Sequence, residues 1–251
     1  MYFISKKTLT VLFFGFSSFA TTNKVKELQH NTAPQNGFAV VELFTSEGCS
    51  SCPPADAVAA KLLEDYKENV FVLGFHVDYW NYLGWKDNFS SSAYNARQQQ
   101  YGNIFQLNSV YTPQVVVNGT QQFVGSDKTK LYDVVKKSLQ QSGTNEIKIS
   151  AIADGKTIKV TYTLQIANAI LNFALVQKHA TTKVQRGENS GSTLQHVNVV
   201  RDFISVRADI TNSKIELTLP DGLLKDGCTI IAFLQDNKTL KISAATECVI
   251  Q

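Results

Sequence analysis

Cys49 and Cys52 stand with two serines between them in the stretch TSEGCSSCPPAD. Two thiols at that spacing can close into a small disulfide loop and reopen. The pair can therefore exchange with a partner disulfide, one sulfur attacking and the other releasing the mixed disulfide. The attacking species is a thiolate, which is favoured where a cysteine faces the free N–H groups and positive end of a helix. The flanking residues supply such a setting. Residues 38–44 (FAVVELF) are an apolar run of buried-strand type, a short polar turn follows, and residues 55–66 have helical periodicity. The order predicts strand, dithiol, helix, with Cys49 as nucleophile and Cys52 as resolving thiol.

Further elements must hold this pair in place. Residues 70–75 (VFVLGF) read as a second buried strand, which makes a βαβ unit with parallel pairing. Residues 76–87 (HVDYWNYLGWKD) follow it without helical or strand period and contain both tryptophans. A long aromatic loop at the carboxyl end of a parallel strand lies where α/β sheets place ligands. Two roles remain open for it. The aromatics cap the core while Asp78 and Asp87 satisfy backbone amides, or Trp80 and its neighbours line a groove beside the dithiol, where His76 and Asp78 would tune Cys49. Residues 90–105 predict a surface helix with a serine-rich start. Thr112-Pro113 then heads a strand, where the proline's missing donor leaves backbone groups free for an extended peptide or a partner disulfide. Asn118-Gly119 signals a hairpin to residues 121–124, and Ser126-Asp127 starts a helix reaching about residue 141.

After residue 144 the period changes to two. Strands are predicted near 146–153, 157–166, 170–178, 197–208, 214–219, 228–234 and 240–249, which suggests a small antiparallel sandwich. Between the third and fourth lies the loop RGENSGSTLQH (186–196), rich in Gly, Asn and Ser. Pairing Cys228 with Cys248 would centre the last hairpin on Lys238, inside the polar stretch 236–239. Those two cysteines would then be cross-strand neighbours able to form a structural disulfide, with two buried thiols or a second redox pair as the alternatives.

Four stretches carry a resemblance: ELFTSEGCSSCPPAD (42–56), FHVDYWNYLGWKD (75–87), YTPQVVVNG (111–119), and RGENSG (186–191) with HVNVVRDF (196–203). On these the chain resembles the thioredoxin superfamily. More closely, it is similar to a family of secreted bacterial proteins of unknown function with a thioredoxin-like domain. The resemblance implies an α/β thioredoxin-like domain at 38–143 followed by an all-β, sandwich-like domain at 144–251, and a redox site without a stated substrate. It implies a cis peptide at Thr112-Pro113 facing the dithiol, with an ordinary strand-initiating trans proline as the alternative. It also implies that the 186–196 segment, with Glu188, Asn189 and His196, reaches that domain and closes over the cysteines; a plain surface loop is the alternative.

Residues 1–20 have the three parts of a secretory signal: Lys6 and Lys7, an apolar core at 9–16, and Ser18-Phe-Ala20 as cleavage site. The core is too short to span a bilayer, so no stable membrane span is expected after cleavage. Residues 21–37 read as a leader of low order containing His30. Export to a periplasm or exterior would place both cysteine pairs in an oxidising compartment. A net charge of +3 without a dense basic block excludes a nucleic-acid footprint, and 18% charged with 43% hydrophobic residues excludes disorder.

Three functions compete. The first is an exported thiol–disulfide oxidoreductase acting on protein or small-molecule disulfides and thiols, without a cofactor, with Glu42 as the carboxylate that takes the Cys52 proton or as an ordinary strand residue. The second is copper or zinc binding by the two cysteines with His76, His179 or His196, which lacks the second ligand pair of a convincing metal site. The third is a non-catalytic binding protein with structural disulfides.

Overall fold

The unbroken apolar run at 38–44 has the surroundings it needs. Strand β1 (Ala39–Thr45) is buried at every position and lies inside an eight-stranded sheet. The computed structural model describes residues 1–3, 37–141, 146–165, 168–209 and 211–251. All but the first three residues of the expected signal sequence lie outside the described residues, as do its cleavage site and nearly all of the leader, including His30. β1 pairs in parallel with β2 (Val70–His76) and antiparallel with β3 (Gln114–Val117), which turns into β4 (Gln121–Val124). Alternation along β1 sends Ala39, Val41 and Leu43 towards helices α1 (Pro53–Asp65) and α3 (Lys128–Leu139). Val40 and Phe44 face Tyr94 and Tyr101 of α2 (Ser92–Ile104) on the other side.

The second half of the chain forms β5 (Ile147–Asp154), β6 (Thr157–Leu164), β7 (Ala169–Lys183), β8 (Thr193–Arg207), β9 (Asn212–Thr218), β10 (Cys228–Asp236) and β11 (Ile242–Cys248). β5, β6 and β9 make a three-stranded sheet, while the other four join the first half in the order β11-β10-β7-β8-β2-β1-β3-β4. The sheet thus runs across the boundary expected at 143/144. β8 lies parallel to β2 at Gly74↔Val199, where a Cβ on Gly74 would meet the Val197 and Asn198 carbonyls at ordinary contact distances of 3.4 and 3.5 Å. Ile158, Val160 and Leu217 of the smaller sheet pack on Phe173, Leu175 and Ile230 of the larger one, giving the sandwich layer.

The long β7–β8 hairpin departs from the sequence expectation. Its strands extend to Lys183 and from Thr193, so the loop shrinks to 184–192 and His196 lies within β8, opposite Ala180. The Cys228–Cys248 bridge is not formed: both thiols are free. The register explains this, because Cys248 lies opposite Ile230, two residues from Cys228. Burial pushes the Cys228 thiol up and the Cys248 thiol up to about 11, so neither is poised as a nucleophile at neutral pH.

The β3–β4 turn docks on the β10–β11 hairpin, with the Ile242 N–H donating to the Asn118 carbonyl at 3.0 Å. Gly119 has φ +66°, and a Cβ there would lie 1.8 Å from the Leu240 carbonyl oxygen. Strain and a backbone clash act together. Gly119→Ala is expected to lower the unfolding free energy by about 2–4 kcal/mol, read from a urea melt with unchanged slope.

Candidate functional site

The turn between β1 and α1 carries the dithiol because its residues cannot continue either element. Ser46 accepts the Cys49 N–H through its carbonyl at 3.2 Å, and Cys49 accepts that of Cys52 at 3.2 Å. Cys52 occupies the position before the helix, and Pro53 starts it, where no amide donor is missed. Cys49 and Cys52 are joined by a disulfide with Cα atoms 5.4 Å apart, at the positive end of α1. Ser50 and Ser51 are exposed, whereas both cysteines are 0% exposed.

Three segments enclose this turn. Trp80 packs its Cβ 3.0 Å from where a Gly48 side chain would stand, and its indole N–H donates to Thr112 Oγ1 at 2.8 Å. Pro113, whose peptide bond to Thr112 is cis, shares with Ala55 of α1 the space beside Gly125. From the second half of the chain, Asn189 Nδ2 donates to the carbonyls of Glu47 at 2.9 Å and Cys49 at 3.0 Å, and Glu188 Oε2 accepts the Ser50 N–H at 3.0 Å. The 184–192 loop lies over the cysteines.

Beneath the turn is a buried polar cluster. Asp87 Oδ2 accepts the Glu47 N–H at 2.9 Å and faces His76 Nδ1 at 2.7 Å, while Oδ1 accepts the Phe89 N–H at 2.9 Å. Burial would raise its pKa, but His76 and the two amides outweigh that and hold the carboxyl below the usual carboxylate range. Glu47 Oε2 accepts the Trp85 indole N–H at 2.7 Å. The His196 ring stands edge-on to His76, centroids 4.8 Å apart, with Nδ1 3.3 Å from Asp56 Oδ2 and Nε2 3.6 Å from Glu47 Oε1. Burial alone would depress the imidazolium, but the Asp56 and Glu47 carboxylates override it and raise the His196 pKa to about 9. A folded value above the ordinary 6.5 means that the stability from this arrangement is complete below pH 6.5 and is lost as pH rises through about 9.

Of the predicted site residues, the structure gathers Cys49, Cys52, Trp80, Thr112, Pro113, Glu188, Asn189, His76 and His196 around the turn. Glu42 is not among them. It points to the α2 side, where Arg97 Nε donates to its Oε2 at 2.5 Å and Arg97 Nη2 to its Oε1 at 2.9 Å, and Tyr101 donates to the same Oε1. Arg97 and Tyr101 hold Glu42 there, away from the face of β1 that meets α1 and Cys52. Asp78 is tied by Asn95, which accepts its amide N–H at 3.0 Å. Sequence reasoning missed Glu47, Asp56, Trp85 and Arg97. Glu47 had a visible signal, an acid two residues before the dithiol and the one charged side chain of that polar turn. Among the described residues no three His, Cys, Asp or Glu side chains are grouped to hold a metal ion.

Fold and site together define a mixed α/β protein with one large sheet, few helices and a disulfide at the head of a helix. The chain belongs to a family of proteins of unknown function (DUF1223), whose model matches residues 40–235. It is similar to a crystal structure of an Agrobacterium tumefaciens protein at 28% identity, TM-score 0.67, covering 86% of this chain and 96% of that one. HBP35 of Porphyromonas gingivalis shares the fold at 19% identity and TM-score 0.58, covering 86% and 76%. No curated protein matches the chain.

Proposed function

We propose that this chain is an exported thiol–disulfide oxidoreductase with a thioredoxin-like first half, acting on protein or small-molecule disulfides and thiols. The observation that supports it most is the Cys49–Cys52 disulfide at the start of α1, flanked by Pro113 and Trp80. The positive end of the α1 dipole favours a thiolate on the pair. Pro53 and Pro54 have no N–H, and those of Ala55 and Asp56 are taken by the Cys52 carbonyl, so the dipole acts without a direct amide donor from the first turn. The Pro113 carbonyl accepts the Gly125 N–H at 2.9 Å and the Tyr111 carbonyl accepts Gln98 Nε2 at 2.8 Å, which leaves the Thr112 backbone as the part that would meet an extended partner. Export rests on the charged, apolar and small-residue parts of residues 1–20. The complete burial of both cysteines favours a second possibility, a bridge that serves structure alone.

Equilibration in graded thiol–disulfide buffers separates the two. An exchangeable pair is expected to show a midpoint between roughly −120 mV and −300 mV, read by mass tagging of Cys49 and Cys52. A pair oxidised below about −300 mV throughout would instead be structural.

A further inference from the structure

Exchange moves protons as well as electrons, and the cluster under the turn is built for the protons. Glu47 Oε1 and both nitrogens of His196 are buried with no well-formed hydrogen bond beyond the ion-pair contacts at 3.3 and 3.6 Å, and His76 Nε2 and Thr45 Oγ1 are buried without a hydrogen-bond partner among the described residues. Under-satisfied buried groups are rare in folded interiors, and their concentration around one turn asks for a role. Glu47 lies two residues before Cys49, and Asp56 donates its N–H to the Cys52 carbonyl at 3.2 Å. His196, 2% exposed, stands between their carboxylates. On its far side opens a cavity of about 500 Å³ whose lining includes Pro53, Asp56, Ala57, Ala60, His196 and a second histidine, His179.

We propose that Glu47, His196 and Asp56 form the proton store of the Cys49–Cys52 pair, connected to solvent through the cavity between α1 and the β7–β8 hairpin. This rests on the oxidoreductase function proposed above. In the oxidising direction the Cys49 thiolate attacks a partner disulfide, forming a mixed disulfide and expelling one partner thiolate. Cys52 then loses its proton to the store, its sulfur attacks Cys49, and the second partner thiolate leaves. Two electrons pass from the dithiol to the partner disulfide, and the Cys52 proton passes through Asp56 and the cavity to water. Water in the cavity relays the proton from Cys52 to the Glu47 and Asp56 carboxylates, and His196, which already carries its proton, is the positioning residue that holds the two.

The groups facing His196 are Asp56 from α1, Glu47 from the turn and His76 from β2, the last held by Asp87. Phe89 packs beside it, with the Arg201 guanidinium 4.8 Å over the Phe89 ring. The carboxylates keep His196 protonated at neutral pH.

Two measurements test the store. The first uses the wild-type protein and follows the His196 ring by NMR through a pH titration, oxidised and reduced. The titration point is expected to differ by at least about half a unit, because a nearby group changes its protonation. The second compares the pH profile for oxidation of the reduced protein by oxidised glutathione in wild type, Glu47→Gln and His196→Gln. Both variants are expected to lose roughly 10²-fold in the resolving step and to shift the profile by about one unit. Identical His196 titrations, or folded variants with wild-type profiles, would overturn the proton store while leaving the oxidoreductase function intact. A wild-type pair that cannot be reduced or exchanged would remove both.

Discussion

Arg97→Ala is expected to lower the unfolding free energy by about 3–5 kcal/mol, because it leaves the Glu42 carboxylate charged and unpaired in the core. In a unit of this size the midpoint of a thermal melt should fall by roughly 10 °C. Two contributions add. Glu42 is 0% exposed and Arg97 7%, so water cannot replace the lost partner. The guanidinium also lies 5.0–5.5 Å from the ring centres of Phe75, Tyr101, Phe203 and Phe233, and alanine forfeits those contacts. Removing both charges is a milder change than removing one. Glu42→Leu combined with Arg97→Met should therefore recover most of the loss, and a double variant as unstable as the single one would show that the rings matter more than the charge.

Cys49→Ser should abolish exchange with small disulfides, by at least about a thousandfold, since a hydroxyl at that position has no accessible anion at neutral pH. Cys52→Ser should behave differently, capturing a partner as a stable mixed disulfide on Cys49 that mass spectrometry detects. Full exchange by Cys49→Ser would end the mechanism. Capture on Cys49 alone would assign the nucleophile.

Local order was well written in the residues. β1 and β2 are apolar without interruption because both faces are covered, and their runs were visible. After 144 the strands of the small sheet alternate, as a layer with one wet face must, and β6 reads intermediate, buried, exposed, buried along its length. β7 and β10, covered on both faces in the large sheet, are buried over continuous runs instead. Side-by-side placement was not legible. A parallel contact between β2 and β8 joins residues more than a hundred positions apart, and the apolar run of β2 says nothing of which strand will lie beside it. The cysteine bridge failed for a related reason: register in a hairpin depends on how many residues the turn consumes, and composition does not count them.

The candidate site divides the same way. Residues within one motif, Cys49 and Cys52, were found by spacing. Asn189 and His196 were found through resemblance. The partners supplied by tertiary packing, Glu47 with Trp85 and Asp56 with His196, have no sequence period to announce them. Glu42 misled because an acid in a buried strand does demand a partner, and the one it has sits on α2, a helix so polar that Arg97 looked like surface.

The shared sheet also bears on the order in which the molecule can be made. The outer edge of β2 is closed only by β8, and the cover over the cysteines comes from residues 184–192. A nascent chain that has reached residue 143 therefore displays an open strand edge and two uncovered thiols. Closing them requires pairing at long sequence separation, which is slow. During that interval the cysteines are open to any oxidant the chain meets, so the bridge can form before the lid that later hides it.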